Sequence, residues 1–229
     1  MRKRHTPIRD CDANASMLAL DIETLGLNEK RDLITVVSLY DPSTNIERVL
    51  RFVEIAVEDG CVRYKDDYRH LVEELVNILD KADHLCGFNA VSFDIPFMAC
   101  QFKIPAKTVS KWKDKTFDIL QTARCNFNRT FSLNLLVAMN KSSGGKTSDG
   151  LQAIKMAEDG QWEELEAYCL QDSVLIHEIS SLTTIYCPEG GNWRRRNGGR
   201  THDPSRVAQI DTSQFPVISC SFGAKRQGV

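Results

Sequence analysis

The chain has 229 residues, 42% of them apolar, which is enough to enclose one core of ordinary domain size and too little for a multi-domain polymerase or motor. Its 29 Lys and Arg stand against 31 Asp and Glu, a net charge of −2, so no global field marks it as a polyanion binder. The charge is uneven instead: an acidic body is followed from residue 188 by a stretch carrying Arg194, Arg195, Arg196, Arg200, Arg206, Lys225 and Arg226. Eight cysteines show no C-x-x-C pair and no clustered spacing, which argues against a zinc or disulfide framework and for a reduced cytoplasmic or nuclear setting. No apolar run approaches the roughly 18 residues of a membrane span. The basic start Met1-Arg2-Lys3-Arg4-His5 runs into Pro7, Asp10 and Cys11 rather than a signal-peptide apolar region. The expectation is an intracellular, unsecreted protein with no membrane partner.

After an N-terminal extension over 1–15, Met17 to Thr24, Leu33 to Tyr40 and Ile46 to Val53 are short apolar or alternating runs. They are separated by Gly26-Leu27-Asn28 and Asp41-Pro42-Ser43, the pattern of three strands divided by turns. Asp67 to Ala82 sets Leu71, Leu75, Ile78 and Leu79 near helical spacing. Leu85 to Asn89 returns to a strand, and Ile95 to Phe102 is a helix with Pro96 in its first turn, where a missing N–H costs little. The pattern then reads as helical over 117–125, 132–139, 150–158 and 162–186. Strands first, then a strand among helices, predict an α/β domain over 16–187 with a mixed central sheet flanked by helices. From Pro188 the periodicity stops, and 188–229 reads as a basic, largely disordered tail. Its apolar stretch Phe215 to Ile218 is a docking segment for the body or for a protein partner.

Chemistry enters at Leu18-Ala19-Leu20-Asp21-Ile22-Glu23-Thr24. The strand period of two puts Asp21 and Glu23 on one face, where two like charges repel and require a cation to be held together away from water. Hard oxygen ligands suit magnesium or manganese. An isolated D-x-E is more often two solvated acids at a strand end. Far along the chain, Glu166-Ala167-Tyr168-Cys169-Leu170-Gln171-Asp172 lies in a helical stretch, so Tyr168 and Asp172 share a helix face. A phenol there can orient a water while the carboxylate ligates a metal; alone, Tyr168 reads as an aromatic packed on the sheet. Between these segments, Gly87-Phe88-Asn89-Ala90-Val91-Ser92-Phe93-Asp94 is a strand, a tight connection and an acid before a helix, and Asp94 alone reads as an N-cap.

Together the three segments, D-I-E-T at 21–24, G-F-N-x-x-x-F-D at 87–94 and Y-C-L-x-D at 168–172, resemble the exonuclease motifs of the DEDD superfamily of 3′-to-5′ exonucleases. The wording is closest to the proofreading domain of family B DNA polymerases. The resemblance covers roughly residues 16–182 and implies an RNase H-like fold. Tyr168 places it in the DEDDy branch, since the histidine of the DEDDh branch would fall at Ala167. It further implies that Asp21, Glu23, Asp94 and Asp172 ligate two divalent cations, Mg²⁺ or Mn²⁺, with Asp21 bridging them and Tyr168 orienting the attacking water. Asn89 and Phe93 match positions that contact or stack on terminal nucleotides in relatives, and Leu25 is a candidate wedge against the last base. The implied substrate is a single-stranded or frayed DNA 3′ end, and the products are nucleoside 5′-monophosphates. Two alternatives stay open. RNA exonucleases of the same superfamily share the five catalytic positions, and a non-catalytic nucleic-acid-binding adaptor could retain the fold. No polymerase domain fits the remaining residues.

Two further features compete for attention. Gly144-Gly145-Lys146-Thr147 imitates a phosphate-binding loop but has Asn140 where glycine is needed and no strand before it, so it is rejected. Lys103, Lys107, Lys111, Lys113 and Lys115 around Trp112 read equally as a single-strand track or as a solvated charge run.

Overall fold

Alternate residues of β1 (Met17–Thr24) enter different layers. Leu18, Leu20 and Ile22 join an apolar cluster on one side of the sheet, while Ala19 joins another on the opposite side. Asp21 and Glu23 continue the row of Ala19, as the period of two requires. The computed structural model describes residues 16–56, 59–127, 130–140, 150–188 and 207–211. β2 (Ile34–Asp41) and β3 (Ile46–Arg51) pair antiparallel beside β1, and Asn45 takes a positive φ in the turn that joins them. A small hairpin of β4 (Val53–Ile55) and β5 (Val62–Tyr64) follows, then α1 (Tyr68–Lys81). β6 (His84–Gly87) adds to the other edge of β1 in parallel. α2 (Asp94–Phe102) and α3 (Ala106–Asp114) lead to β7 (Thr116–Asp118), parallel to β6. The helices α4 (Ile119–Phe127), α5 (Leu133–Asn140), α6 (Gly150–Glu158) and α7 (Trp162–Ser180) complete the domain.

The sheet order is β3-β2-β1-β6-β7, mixed in direction, and among the described residues seven helices flank it. This is the RNase H-like α/β arrangement. The cluster of Leu18, Leu20 and Ile22 is closed by Leu75, Leu79, Ile95, Phe97, Met98 and Trp112 from α1, α2 and α3. The opposite cluster takes Leu120, Leu136, Leu175, Ile176 and Ile179 from α4, α5 and α7. No helix of the described residues is long and apolar enough to cross a membrane.

The structure departs from the sequence expectations at several elements. Phe117, expected in a helix, lies in β7 and is buried; a three-residue strand running directly into α4 leaves no period-two signal. α3 is hidden behind its charges, and Trp112 is its one buried residue. The lysine-and-tryptophan track is corrected at its centre. Trp112 is 0% exposed and donates its Nε1–H to Asp80 at 2.8 Å, and Lys111 and Lys115 cap carbonyls at the end of α1, so these groups serve packing and capping. Finally, α7 stops at Ser180 and β8 (Thr184–Pro188) follows, paired antiparallel with β9 (Val207–Asp211).

β9 therefore lies inside the stretch expected to be tail, with Ile210 2% exposed in the core. The extension 1–15, the Gly144–Thr147 loop, the basic Arg194–Arg196 and Arg200 positions and Phe215–Ile218 lie outside the described residues. Truncation after Pro188 removes β9 from β8. Its expected effect is a fall of several degrees in melting temperature, because burying one isoleucine is worth about 1.5–3 kcal/mol and each kcal/mol moves a domain of this size by about 2–4 °C. Scanning fluorimetry on the truncated and full chains checks it; equal melting temperatures would contradict it.

Candidate active site

The parallel ladder between β1 and β6 ends at Ala19↔Cys86. The C-terminal end of β1, with Asp21 and Glu23, therefore runs on past β6 while still paired with β2, and the carboxyl ends of strands are the usual place for a ligand in an open α/β sheet. Both acids are half-exposed. α7 packs across β1 and β2, and a buried polar cluster sets its register. Ser38, the cross-strand partner of Asp21, donates its hydroxyl to the Cys169 carbonyl at 2.8 Å and lies 2.6 Å from the Ser173 hydroxyl, which reaches the Ser38 carbonyl at 3.2 Å. The Cys169 thiol lies 3.2 Å from Ser38 Oγ and 3.7 Å from Asp21 Oδ2; burial and the neighbouring Asp21 and Glu23 charges push that thiol well above its usual range, so it stays neutral. Arg51 anchors the start of α7, with Nε 3.1 Å from Glu166 and its guanidinium over the Trp162 ring.

Asp172 sits between Cys169 and Ser173 on the buried face of α7 and is 4% exposed. Carboxylate oxygens of Asp21, Glu23 and Asp172 consequently lie within 4.8 Å of one another. Three acids so close repel unless a cation joins them, and an all-oxygen donor set of this kind fits a hard divalent ion.

Asp94, expected as a fourth member, is not in that trio. It opens α2 in the opposite layer, 4% exposed, where its own backbone N–H and that of Ile22, the residue between Asp21 and Glu23, favour the ionised carboxylate. It thus lies beside the same strand from the other side. Burial, and after it the Asp118 charge, push the Asp94 carboxyl up to about 7. Its unfolded value is near 4, so between about pH 4 and 7 the folded chain holds the extra proton and stability falls as pH rises through that window. A divalent cation favours the ionised form and opposes this loss. In chelator, Asp94→Asn is therefore expected to flatten the decline of melting temperature between pH 4 and 7 relative to wild type. Thermal unfolding across that range checks it, and equal slopes would contradict it.

Tyr168 lies one helical turn before Asp172, half-buried against the cluster of Val36, Ala153, Ala157, Leu165 and Cys169. Leu25 packs partly buried on that same cluster, whereas Leu27, two residues on, is 84% exposed. Sequence reasoning passed over Leu27 as a turn residue, because nothing in the pattern tells which leucine of the loop faces outward. The loop is fastened by Leu25 N–H to the Leu33 carbonyl at 2.9 Å and Asn28 N–H to Asp32 Oδ2 at 2.8 Å. A Cβ on Gly26 would lie 2.2 Å from that oxygen, so the closure requires glycine. Asn89 holds a positive φ of 72°, and its side-chain oxygen accepts from Arg124 Nη1 at 2.9 Å. Phe93 precedes α2, its ring 5.3 Å from that of Phe97. His177, farther along α7, is half-buried edge-on to Tyr40.

The RNase_H superfamily model matches residues 18–183, and the chain belongs to that superfamily, whose members are generally nucleases. The structure of the family B DNA polymerase from the hyperthermophilic archaeon Pyrobaculum calidifontis is similar in fold, with a TM-score of 0.50 and 14% identity over 72% of this chain and 24% of that one. The chain thus spans about a quarter of that polymerase's length. No curated protein matches it in sequence.

Proposed function

We propose that the protein is a metal-dependent 3′-to-5′ exonuclease of the DEDDy type, acting on single-stranded or frayed DNA and releasing nucleoside 5′-monophosphates. The observation that carries this reading is the meeting of Asp21, Glu23 and Asp172 within 4.8 Å, with Asp172 on a helix 151 and 149 residues along the chain from the two strand acids and Tyr168 one turn from Asp172. In this reading the folded unit begins at residue 16 and the basic stretch after 188 supplies phosphate contacts. Asp21, Glu23 and Asp172 would hold the cations, with Asp94, on the other side of β1, as the fourth ligand. Mg²⁺ or Mn²⁺ bound there supplies an activated water and charge neutralisation at the departing 3′-oxygen. Tyr168 orients the attacking water through its hydroxyl. Asn89, Phe93 and Leu25 hold the terminal nucleotides, and a site that stacks on unpaired bases favours ends already melted, since each DNA stacking step lost costs about 0.6–2.2 kcal/mol.

DNA is the favoured substrate because the motif wording is nearest to that of polymerase editing domains. Equal-sequence 5′-labelled DNA and RNA, single-stranded and with paired or mismatched 3′ ends, test it in Mg²⁺, Mn²⁺ and chelator. Cation-dependent shortening of DNA, fastest on unpaired ends, is expected; preference for RNA would reassign the substrate, and no cleavage of either would refute the reading.

A further inference from the structure

We propose that Asp118 is a positioning residue for this centre, its carboxylate fixing the turn that delivers Asp94; the inference rests on Asp94 being a metal ligand of the proposed exonuclease. Asp118 ends β7 beside Gly87 of β6 and is 3% exposed. Its Oδ1 accepts the Gln121 N–H at 2.9 Å, which is the ordinary cap of α4, a helix that starts at the next residue. The other two bonds are not explained by capping. Oδ1 also accepts the Asn89 N–H at 3.0 Å and Oδ2 the Val91 N–H at 2.9 Å, both from the segment between β6 and α2.

That segment has little slack. A Cβ on Gly87 would lie 2.4 Å from the Cβ of Ala90, Asn89 takes its positive φ, and the Ser92 and Phe93 N–H groups both return to the Asn89 carbonyl. Arg124, farther along α4, holds the Asn89 side chain from the same side. Asp94 follows Val91 by three residues, so where its carboxyl sits beside the Ile22 backbone N–H depends on where the turn sets the start of α2. An ionised carboxylate accepts on two oxygens and satisfies all three donors. The amide of asparagine accepts on one and would face an N–H with its own NH₂.

The experiment compares wild type with Asp118→Asn by direct Mn²⁺ titration, read by electron paramagnetic resonance without turnover, and by kcat and KM on single-stranded DNA. The expected result is Mn²⁺ binding weaker by about 10- to 100-fold and kcat reduced, with excess Mn²⁺ recovering part of kcat but not the rise in KM for DNA that follows from releasing Asn89. A folded variant with wild-type Mn²⁺ affinity and kcat would overturn the role. If the variant does not fold, amide exchange on wild type decides: Asn89 and Val91 protected like β6 and β7 support the clamp, and loop-like exchange refutes it. Wild type that binds Mn²⁺ yet cleaves no DNA would remove the exonuclease reading while leaving the Mn²⁺ comparison to judge Asp118.

Discussion

Asp21→Ala is expected to abolish hydrolysis and to leave a folded protein. The residue stands at the meeting of every contact that builds the site: its carboxylate is within reach of Glu23 and Asp172, its oxygen lies against the Cys169 thiol, and its cross-strand partner Ser38 pins α7. Removing a carboxylate from a cluster of like charges relieves repulsion, so without metal the melting temperature should hold or rise. The same removal takes away the proposed bridging ligand, and a rate loss of about 1,000-fold or more corresponds to about 4 kcal/mol of barrier. Gel assays with thermal unfolding on the same preparation separate the two effects. Undiminished cleavage would take Asp21 out of the site.

Tyr168→Phe should cost the second largest share of rate. The ring packs on the α6–α7 cluster, and phenylalanine keeps that packing while deleting the hydroxyl alone, so folding and metal binding should be preserved. A loss of roughly 10- to 1,000-fold is the scale of one positioned catalytic hydrogen bond, about 1.4–4 kcal/mol. An unchanged rate at neutral pH would make Tyr168 a packing residue.

Local periods made two pairs of this site legible, and the resemblance of the three motifs joined them into one site. A strand shows two acids on one face, and Asp21 and Glu23 lie there beside Ala19; a helix shows residues four apart, and Tyr168 and Asp172 are so placed. Partnerships across the fold were not legible. Nothing in T-F-D-I-L marks Asp118 as the acceptor for amides 27 and 29 residues away, since hydrogen bonding to backbone leaves no residue pattern in the donor segment. Nor does a local period place Asp94 in the layer opposite α7, because a turn of this tightness depends on Gly87 against Ala90. The basic run around Trp112 stayed open between two readings for a related reason: lysines that cap a neighbouring helix have the same composition as lysines that face solvent. β9 escaped because its apolar alternation is short and its partner β8 lies beyond a basic stretch.

A linear single-stranded DNA with a 5′ label, incubated with Mg²⁺ beside its circularised form, tests the central claim most directly. The account predicts that the linear strand shortens as a ladder of one-nucleotide steps, keeping its label until the last products, while the circle stays intact and chelator stops the reaction. Internal cutting of the circle at a comparable rate, or immediate release of the label as a mononucleotide from the 5′ end, would contradict it.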